Sequence, residues 1–111
     1  GLLALQIIGE WDAPEVKGAA MRFLNYDVSK AKGNRHFYYG MYYYAQGMYQ
    51  FGGENADHAR KVVRETMFGL QEDDGGWPIE KGEGKAGRVY STAITLLSLS
   101  IRYHYLPIYQ R

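Results

Sequence analysis

The chain has 111 residues, a formal net charge of +1 and no cysteine. This length is enough for one domain, which can bury about 65% of the surface that its unfolded chain exposes. The near-neutral charge gives no reason to expect a nucleic-acid partner, and the lack of cysteine excludes disulfides and thiolate metal sites. Since the sequence contains no run of about 18 apolar residues, it predicts no transmembrane segment.

Residues 2–8 are apolar on every side, and Gly9 ends the run. A helix with no polar face is normally enclosed, so this segment predicts a buried helix. It has neither the basic flank nor the cleavage site of a signal peptide. Because a buried helix begins here without a cap, we expect residues 1–111 to be the C-terminal part of a larger domain.

An amphipathic helix is predicted from Asp12 to about Tyr26. Asp12 and Glu15 have the spacing of a capping box, and Pro14 is tolerated in the first turn of a helix. The apolar face of this helix consists of four residues: Val16, Ala20, Phe23 and Leu24.

Tyrosine is the compositional outlier, with 11 copies, and it is concentrated in residues 36–51. A strand is the competing interpretation, because tyrosine favours strands. The length of the segment, its lack of alternation and two glycines at close-packing positions, Gly40 and Gly47, favour a second buried helix. Gly52 and Gly53 are predicted to end it.

Residues 55–71 have the apolar period of a second amphipathic helix, with Glu54 or Asn55 as its cap. A loop at 78–88 then leads to a third helix at 89–101 that is apolar on all sides, and Pro107 prevents its continuation. The apolar face predicted for residues 55–71 consists of Ala59, Val62, Val63, Thr66, Met67 and Leu70.

Buried and amphipathic helices therefore alternate along the chain, and an internal repeat accompanies them. Leu5, Ile8 and Gly9 recur 43 residues later as Met48, Phe51 and Gly52, and Lys17 recurs as Arg60. This spacing lies in the range of repeat arrays, about 20–50 residues. Tetratricopeptide or HEAT solenoids are the alternative, but both helices of their repeats are usually amphipathic. We therefore predict an all-α fold with alternating inner and outer helical layers.

Gln71, Gly75 and Trp77 form a Q-x3-G-x-W pattern at the end of an amphipathic helix. Together with Arg60-Lys61 and Phe68 upstream, it resembles the QW motif of squalene and oxidosqualene cyclases and related prenyltransferase-type repeats. Residues 89–94 and 102–107 are also similar to the last repeat of bacterial squalene-cyclase-like proteins. The resemblance implies that Gln71 and Trp77 stack and brace an α/α toroid, of which residues 1–111 form one partial domain.

Cyclases of this family protonate their substrate with a D-x-D-D motif, whereas Gln71-Glu72-Asp73-Asp74 lacks the first aspartate. We interpret these acidic residues as a solvated turn and predict no catalytic residue. The zinc site of protein prenyltransferases and the thioester of complement-type toroids both need a cysteine that is absent. The three histidines, His36, His58 and His104, lack metal-ligand spacing, so no metal or cofactor is predicted.

Tyr38, Tyr42 and Tyr49 fall on one helical face with Ala45. In the family that this chain resembles, aromatic faces line the inner cavity and stabilise carbocations by cation–π contacts. The resemblance therefore implies an apolar, isoprenoid-type ligand on this face, whereas the alternative is that the three rings pack in the core. A non-enzymatic repeat scaffold that binds a protein partner is the second functional hypothesis, and the sequence leaves open whether the intact protein is an enzyme.

Three helices are predicted to be apolar on all sides, but only two amphipathic helices are available to cover them. The excess apolar surface predicts a homo-oligomer with an apolar interface. Exchange of the terminal helix Val89–Ile101 through the glycine-containing loop 78–88 is one way to form it.

Overall fold

A computed structural model describes residues 1–80 and 87–103 of the chain. In this part of the chain the fold is all-α, as predicted, and no strand is present. Five α-helices follow one another: α1 (Leu2–Ile7), α2 (Pro14–Leu24), α3 (Phe37–Phe51), α4 (Gly53–Phe68) and α5 (Gly87–Leu99). Short 3₁₀ turns lie at Val28–Ala31 and Ile101–Tyr103.

Helix α3 is the centre of the molecule and packs against α1, α4 and α5. Ten of its fifteen residues are buried, which confirms the prediction of a buried helix at this position. Helix α4 also contacts α2 and α5, and α2 contacts α1. Helix α3 thus has α1 and α5 among its neighbours, and α2 and α4 pack against each other.

Gly47 allows the close approach of α1 to α3. A Cβ atom at this glycine would lie 3.2 Å from Leu2 Cδ2, and the buried Gln6 side chain donates from Nε2 to the Gly47 carbonyl at 3.1 Å. The close-packing role predicted for this glycine is confirmed. Gly40 differs, because it is exposed and a Cβ atom there would meet nothing within 4 Å.

Helix α4 buries the face that its sequence period predicts, since Ala59, Val63 and Met67 are all buried. It begins two residues earlier than predicted, however, because Gly52 is its N-cap and neither Glu54 nor Asn55 caps it. The predicted capping box at Asp12 is also wrong. Ala13 is the N-cap of α2, with no side-chain cap hydrogen bond, and the Asp12 carboxylate instead pairs with Lys17 Nζ at 3.3 Å.

Two helices predicted to be enclosed on all sides are only half covered. Ile7 and Ile8 at the end of α1 are exposed. In α5 the buried residues are Ser91, Thr95 and Ser98, whereas Val89 is 83% exposed and Leu96 and Leu97 are also exposed. Helix α5 is thus rotated with its hydroxyl side chains toward the protein and several of its larger apolar side chains toward solvent.

The repeat of 43 residues corresponds to similar helix ends in the structure. Gly9 and Gly52 follow α1 and α3, and both have positive φ angles, 93° and 86°, which glycine adopts without strain. Lys17 and Arg60 each pair with an aspartate that precedes them, Asp12 and Asp57 respectively.

Candidate functional site

The three tyrosines predicted to bind a ligand do not share a cavity. Tyr38 is fully buried, and its hydroxyl donates to the Pro78 carbonyl at 2.6 Å. Tyr42 is also buried in α3. Tyr49 is half-buried and lines a small pocket of about 80 Å³ between α3, α4 and α5. The structure therefore places Tyr38 among core residues, which was the alternative interpretation of this face.

A larger cavity, of about 650 Å³, lies on another side of α3. Its walls are formed by α1, the end of α2, the 3₁₀ turn at Val28–Ala31 and the first half of α3, and its lining is mostly apolar. This volume lies within the range of small-molecule sites, about 300–1,000 Å³. The side chains that α3 contributes are Phe37, Tyr39, Met41, Tyr43 and Tyr44, and the facing walls include Leu2, Leu3, Ile7, Phe23, Tyr26 and Val28.

The aromatic rings at this cavity are arranged in contact with one another. Tyr39 and Tyr43 lie one helical turn apart on α3, with ring centroids 4.6 Å apart, and both are partly exposed. The Phe23 ring meets the Tyr44 ring edge-on at 5.6 Å. Amphipathic tyrosine side chains of this kind provide apolar contact area together with a hydroxyl that can form hydrogen bonds.

His36 is the N-cap residue of α3 and lines the cavity. Its φ of 67° and ψ of 28° place a non-glycine residue in the left-handed region, which is a strained conformation. Such backbone strain is concentrated at functional sites. Arg35 precedes it in the wall, so one side of an otherwise apolar cavity carries a positive charge.

Tyr44 contributes a polar atom without a partner. Its side chain is buried, and its hydroxyl has no hydrogen-bond partner within the structure. Burial disfavours the phenolate and raises the pKa of Tyr44 to about 12, so this hydroxyl is neutral at pH 7. A buried unpaired hydroxyl is costly, and this oxygen atom has almost no solvent-accessible surface.

Trp77, by contrast, is completely integrated into the core. Its side chain is 1% exposed, and the indole Nε1–H donates to the Met67 carbonyl near the end of α4 at 2.6 Å. The Trp77 backbone N–H donates to the Thr92 hydroxyl at 3.1 Å, and the Ser91 hydroxyl donates to the Trp77 carbonyl at 2.8 Å. Trp77 therefore joins the end of α4 to α5.

The turn before Trp77 is closed by its own hydrogen bonds. Gln71 is exposed, and its Nε2 donates to the Gly75 carbonyl at 2.9 Å. The Glu72 N–H donates to the Gly76 carbonyl at 2.9 Å, and Gly75 has a φ of 85°, which suits glycine. Gln71 thus stabilises the turn from its solvent side, while Trp77 anchors it from the core side.

Two acidic residues of this turn, Glu72 and Asp74, hold α5 through Arg88. Asp74 accepts two hydrogen bonds from the Arg88 guanidinium, at 2.6 and 2.8 Å, and Glu72 pairs with the same guanidinium at 2.6 Å. The bonds from Arg88, followed by that from the Gly76 N–H, lower the pKa of Asp74 to about 2. Asp74 is therefore ionised at neutral pH, and Asp73 beside it is exposed.

Residues 1–80 and 87–103 contain no group of three or more His, Asp or Glu side chains that could hold a metal ion. His36 lies at the large cavity, His58 lies on α4, and His104 lies outside the described residues, as does Pro107. Among the helices described, none has the length and hydropathy needed to cross a bilayer.

Comparisons of the chain with protein-family models, with curated proteins and with solved structures give no match. The resemblance to squalene-cyclase-like repeats therefore depends on the sequence alone: on the Q-x3-G-x-W pattern with Arg60-Lys61 and Phe68, on residues 89–94 and 102–107, and on the alternation of helices.

Sequence reasoning identified the tyrosine-rich helix but not the side of it that faces the cavity. The residues it missed are Tyr39, Tyr43 and Tyr44 on α3 and His36 at its start. No periodicity distinguishes the two sides, because both carry tyrosines. A local signal did exist in Gly40, which lies on the cavity side and leaves the wall open between Tyr39 and Tyr43.

Proposed function

We propose that this chain is part of a ligand-binding helical domain whose cavity between α1, α2 and α3 takes an apolar ligand of the isoprenoid type. The observation that carries the proposal is the cavity of about 650 Å³ with a mostly apolar lining and a cluster of tyrosine rings. A long hydrocarbon chain would gain about 25 cal/mol for each Å² of apolar surface that it buries there.

A further feature of the cavity supports a bound small molecule. His36 is held in a strained conformation at the wall. Helix α3 contacts α1 and α5, and α2 contacts α4. A segment of an α/α toroid would have the same neighbours. The partial toroid stays a proposal, since five helices do not close a ring.

The proposed role is binding and not catalysis by these residues alone. In the cyclases that the chain resembles, protonation of the substrate needs an acid that holds its proton near neutral pH. Asp74 is ionised and bonded to Arg88, so its role is to hold the turn against α5. Asp74 therefore lacks the proton that such an acid must hold at neutral pH.

Farnesol, an isoprenoid alcohol, tests the proposal on the 111-residue chain. We expect saturable binding in calorimetry, together with an increase in the melting temperature that grows with ligand concentration. Tyr39→Ala and Tyr43→Ala should each weaken binding by about tenfold, because each removes a large aromatic contact from the cavity wall. Tyr103→Ala is the matched control, since Tyr103 is an exposed tyrosine away from this cavity.

A flat titration with farnesol would contradict a ligand-binding function. Equal effects of Tyr39→Ala and Tyr103→Ala would show instead that farnesol binds nonspecifically to exposed aromatic side chains.

The exposed side of α5 favours a second candidate function, an interaction scaffold in which the partner is another copy of this chain. Val89, Leu96 and Leu97 are exposed on this helix, and Val89 and Leu96 line a shallow groove together with Gly75, Gly76, Ala93 and the Asp74–Arg88 ion pair. A twofold arrangement would pack the exposed side chains of each copy against those of the other. Helix exchange is a second way to cover this surface, but most of its hinge, residues 81–86, lies outside the described residues.

Sedimentation velocity at micromolar concentration distinguishes this scaffold from a monomeric ligand binder. We expect a dimer for the native chain and a monomer for Leu96→Ser/Leu97→Ser, with an unchanged circular dichroism spectrum because both leucines face solvent within one copy. Met21→Ser is the control, since Met21 is also exposed but lies on α2. A native chain that sediments as a monomer would exclude self-association through α5.

A further inference from the structure

Three arginines line the small pocket between α3, α4 and the 3₁₀ turn after α5. Arg60 and Arg64 lie one helical turn apart on α4, and Arg102 reaches the same pocket from the turn at Ile101–Tyr103. The only carboxylate in the described wall is Asp57, which pairs with Arg60 Nη2 at 3.0 Å. Three guanidinium groups and one carboxylate leave the pocket with a clear excess of positive charge.

Two of these guanidinium groups have no carboxylate partner among residues 1–80 and 87–103. Arg64 lies over the Phe68 ring, with its Cζ atom 5.7 Å from the ring centroid. Arg102 lies over the Tyr103 ring at 4.7 Å. These ring contacts orient the two side chains but leave their N–H groups available to an anion. Since like charges repel at a spacing of four residues on a helix, a bound anion would relieve this repulsion.

The pocket also has an apolar floor, formed by Ala45, Val63, Leu99 and Ile101. Its volume is about 80 Å³, whereas one water molecule needs roughly 10–15 Å³. It therefore has room for a tetrahedral oxyanion, whose oxygens match the planar fork of arginine in bidentate pairs.

We infer that this arginine pocket binds a phosphate dianion, either free or as the phosphate group of a small ester. The site is separate from the proposed isoprenoid cavity. Helix α3 contributes to both, but through different residues: Ala45 and Tyr49 line the arginine pocket, whereas the cavity is lined by Phe37, Tyr39, Gly40, Met41, Tyr43 and Tyr44. The inference thus stands whether or not the cavity binds an apolar ligand.

Calorimetric titration with inorganic phosphate, at an ionic strength held constant with sodium chloride, tests the inference. We expect saturable binding at one site, and Arg64→Gln or Arg102→Gln should each weaken it by about tenfold through loss of a charge-assisted hydrogen bond. Arg22→Gln is the matched control, because Arg22 is an exposed arginine on α2 outside the pocket. Circular dichroism of each variant shows that its fold is retained.

A second titration with phenyl phosphate distinguishes the two sources of the anion. Tighter binding than that of inorganic phosphate would indicate a phosphate ester whose apolar part contacts Val63 and Leu99, whereas equal affinity would indicate the free anion. The inference is overturned if phosphate gives no saturable heat. It is also overturned if Arg22→Gln weakens binding as much as the two pocket variants, since the effect would then be that of overall charge.

Discussion

Trp77→Ala is expected to lower the free energy of unfolding by about 3–5 kcal/mol, the range for removing a large aromatic side chain from a packed core. Trp77 is almost fully buried, and its indole donates to the Met67 carbonyl. The substitution removes that donor as well as the ring. Domains of this size are stabilised by only about 5–15 kcal/mol. A large fraction of the Trp77→Ala molecules should therefore be unfolded well below the melting temperature of the native protein.

Urea denaturation followed by circular dichroism measures this loss. Trp77→Phe separates the two contributions, because it keeps an aromatic ring but removes the N–H donor, and should cost about 1–3 kcal/mol. Ile79→Ala is the control two residues away, where a half-exposed side chain should change stability by about 0.5 kcal/mol or less. If Trp77→Ala is no more destabilising than Ile79→Ala, Trp77 does not brace the turn.

Tyr38→Ala is expected to have an effect of similar size, about 3–5 kcal/mol, because this ring is enclosed in the core of α3. Tyr38→Phe should cost about 1–3 kcal/mol, since it removes the donor to the Pro78 carbonyl and leaves the ring in place. The neighbouring residue provides the control. Tyr39 is half-exposed at the cavity, so Tyr39→Ala should cost only about 1 kcal/mol.

In ligand binding the order should be reversed, so that Tyr39 matters more than Tyr38. Tyr39→Ala should weaken the binding of farnesol, whereas Tyr38→Phe should leave it unchanged, because Tyr38 does not line the cavity. Denaturation and calorimetry on one set of proteins measure both effects. Loss of farnesol binding in Tyr38→Phe would indicate that the ligand binds at the face predicted from the sequence, which consists of Tyr38, Tyr42 and Tyr49.

The helices themselves were predictable, because their signals are local. The apolar period of α4 predicted that Ala59, Val63 and Met67 would be buried, and they are. Residues apolar on nearly all sides predicted that α3 would be a buried helix, and ten of its fifteen residues are buried. The turn at Gly75 and Gly76 and the burial of Trp77 follow from the freedom of glycine and the size of an indole ring.

The capping prediction at Asp12 was wrong for a local reason. A capping box satisfies backbone N–H groups at a helix start, but Pro14 has no N–H and removes one of them. The Asp12 side chain extends instead to Lys17, and Ala13 becomes the N-cap. The spacing of Asp12 and Glu15 was compatible with a cap, but it did not determine which contact the carboxylate would make.

The sequence by itself determined which segments are helical, that α3 is a buried helix and where the chain turns, because periodicity, glycine and residue size act over a few neighbouring residues. The rotation of a helix that is apolar on all sides was decided only by the tertiary structure. In α3, contact with Pro78 orients Tyr38 inward and leaves Tyr39 at the cavity. In α5, the buried backbone of Trp77 needs hydrogen-bond partners, so Ser91 and Thr92 turn toward it and the leucines remain outside. Arg64 and Arg102 likewise line one pocket only in the folded protein, because no local sequence pattern predicts which distant segments become neighbours.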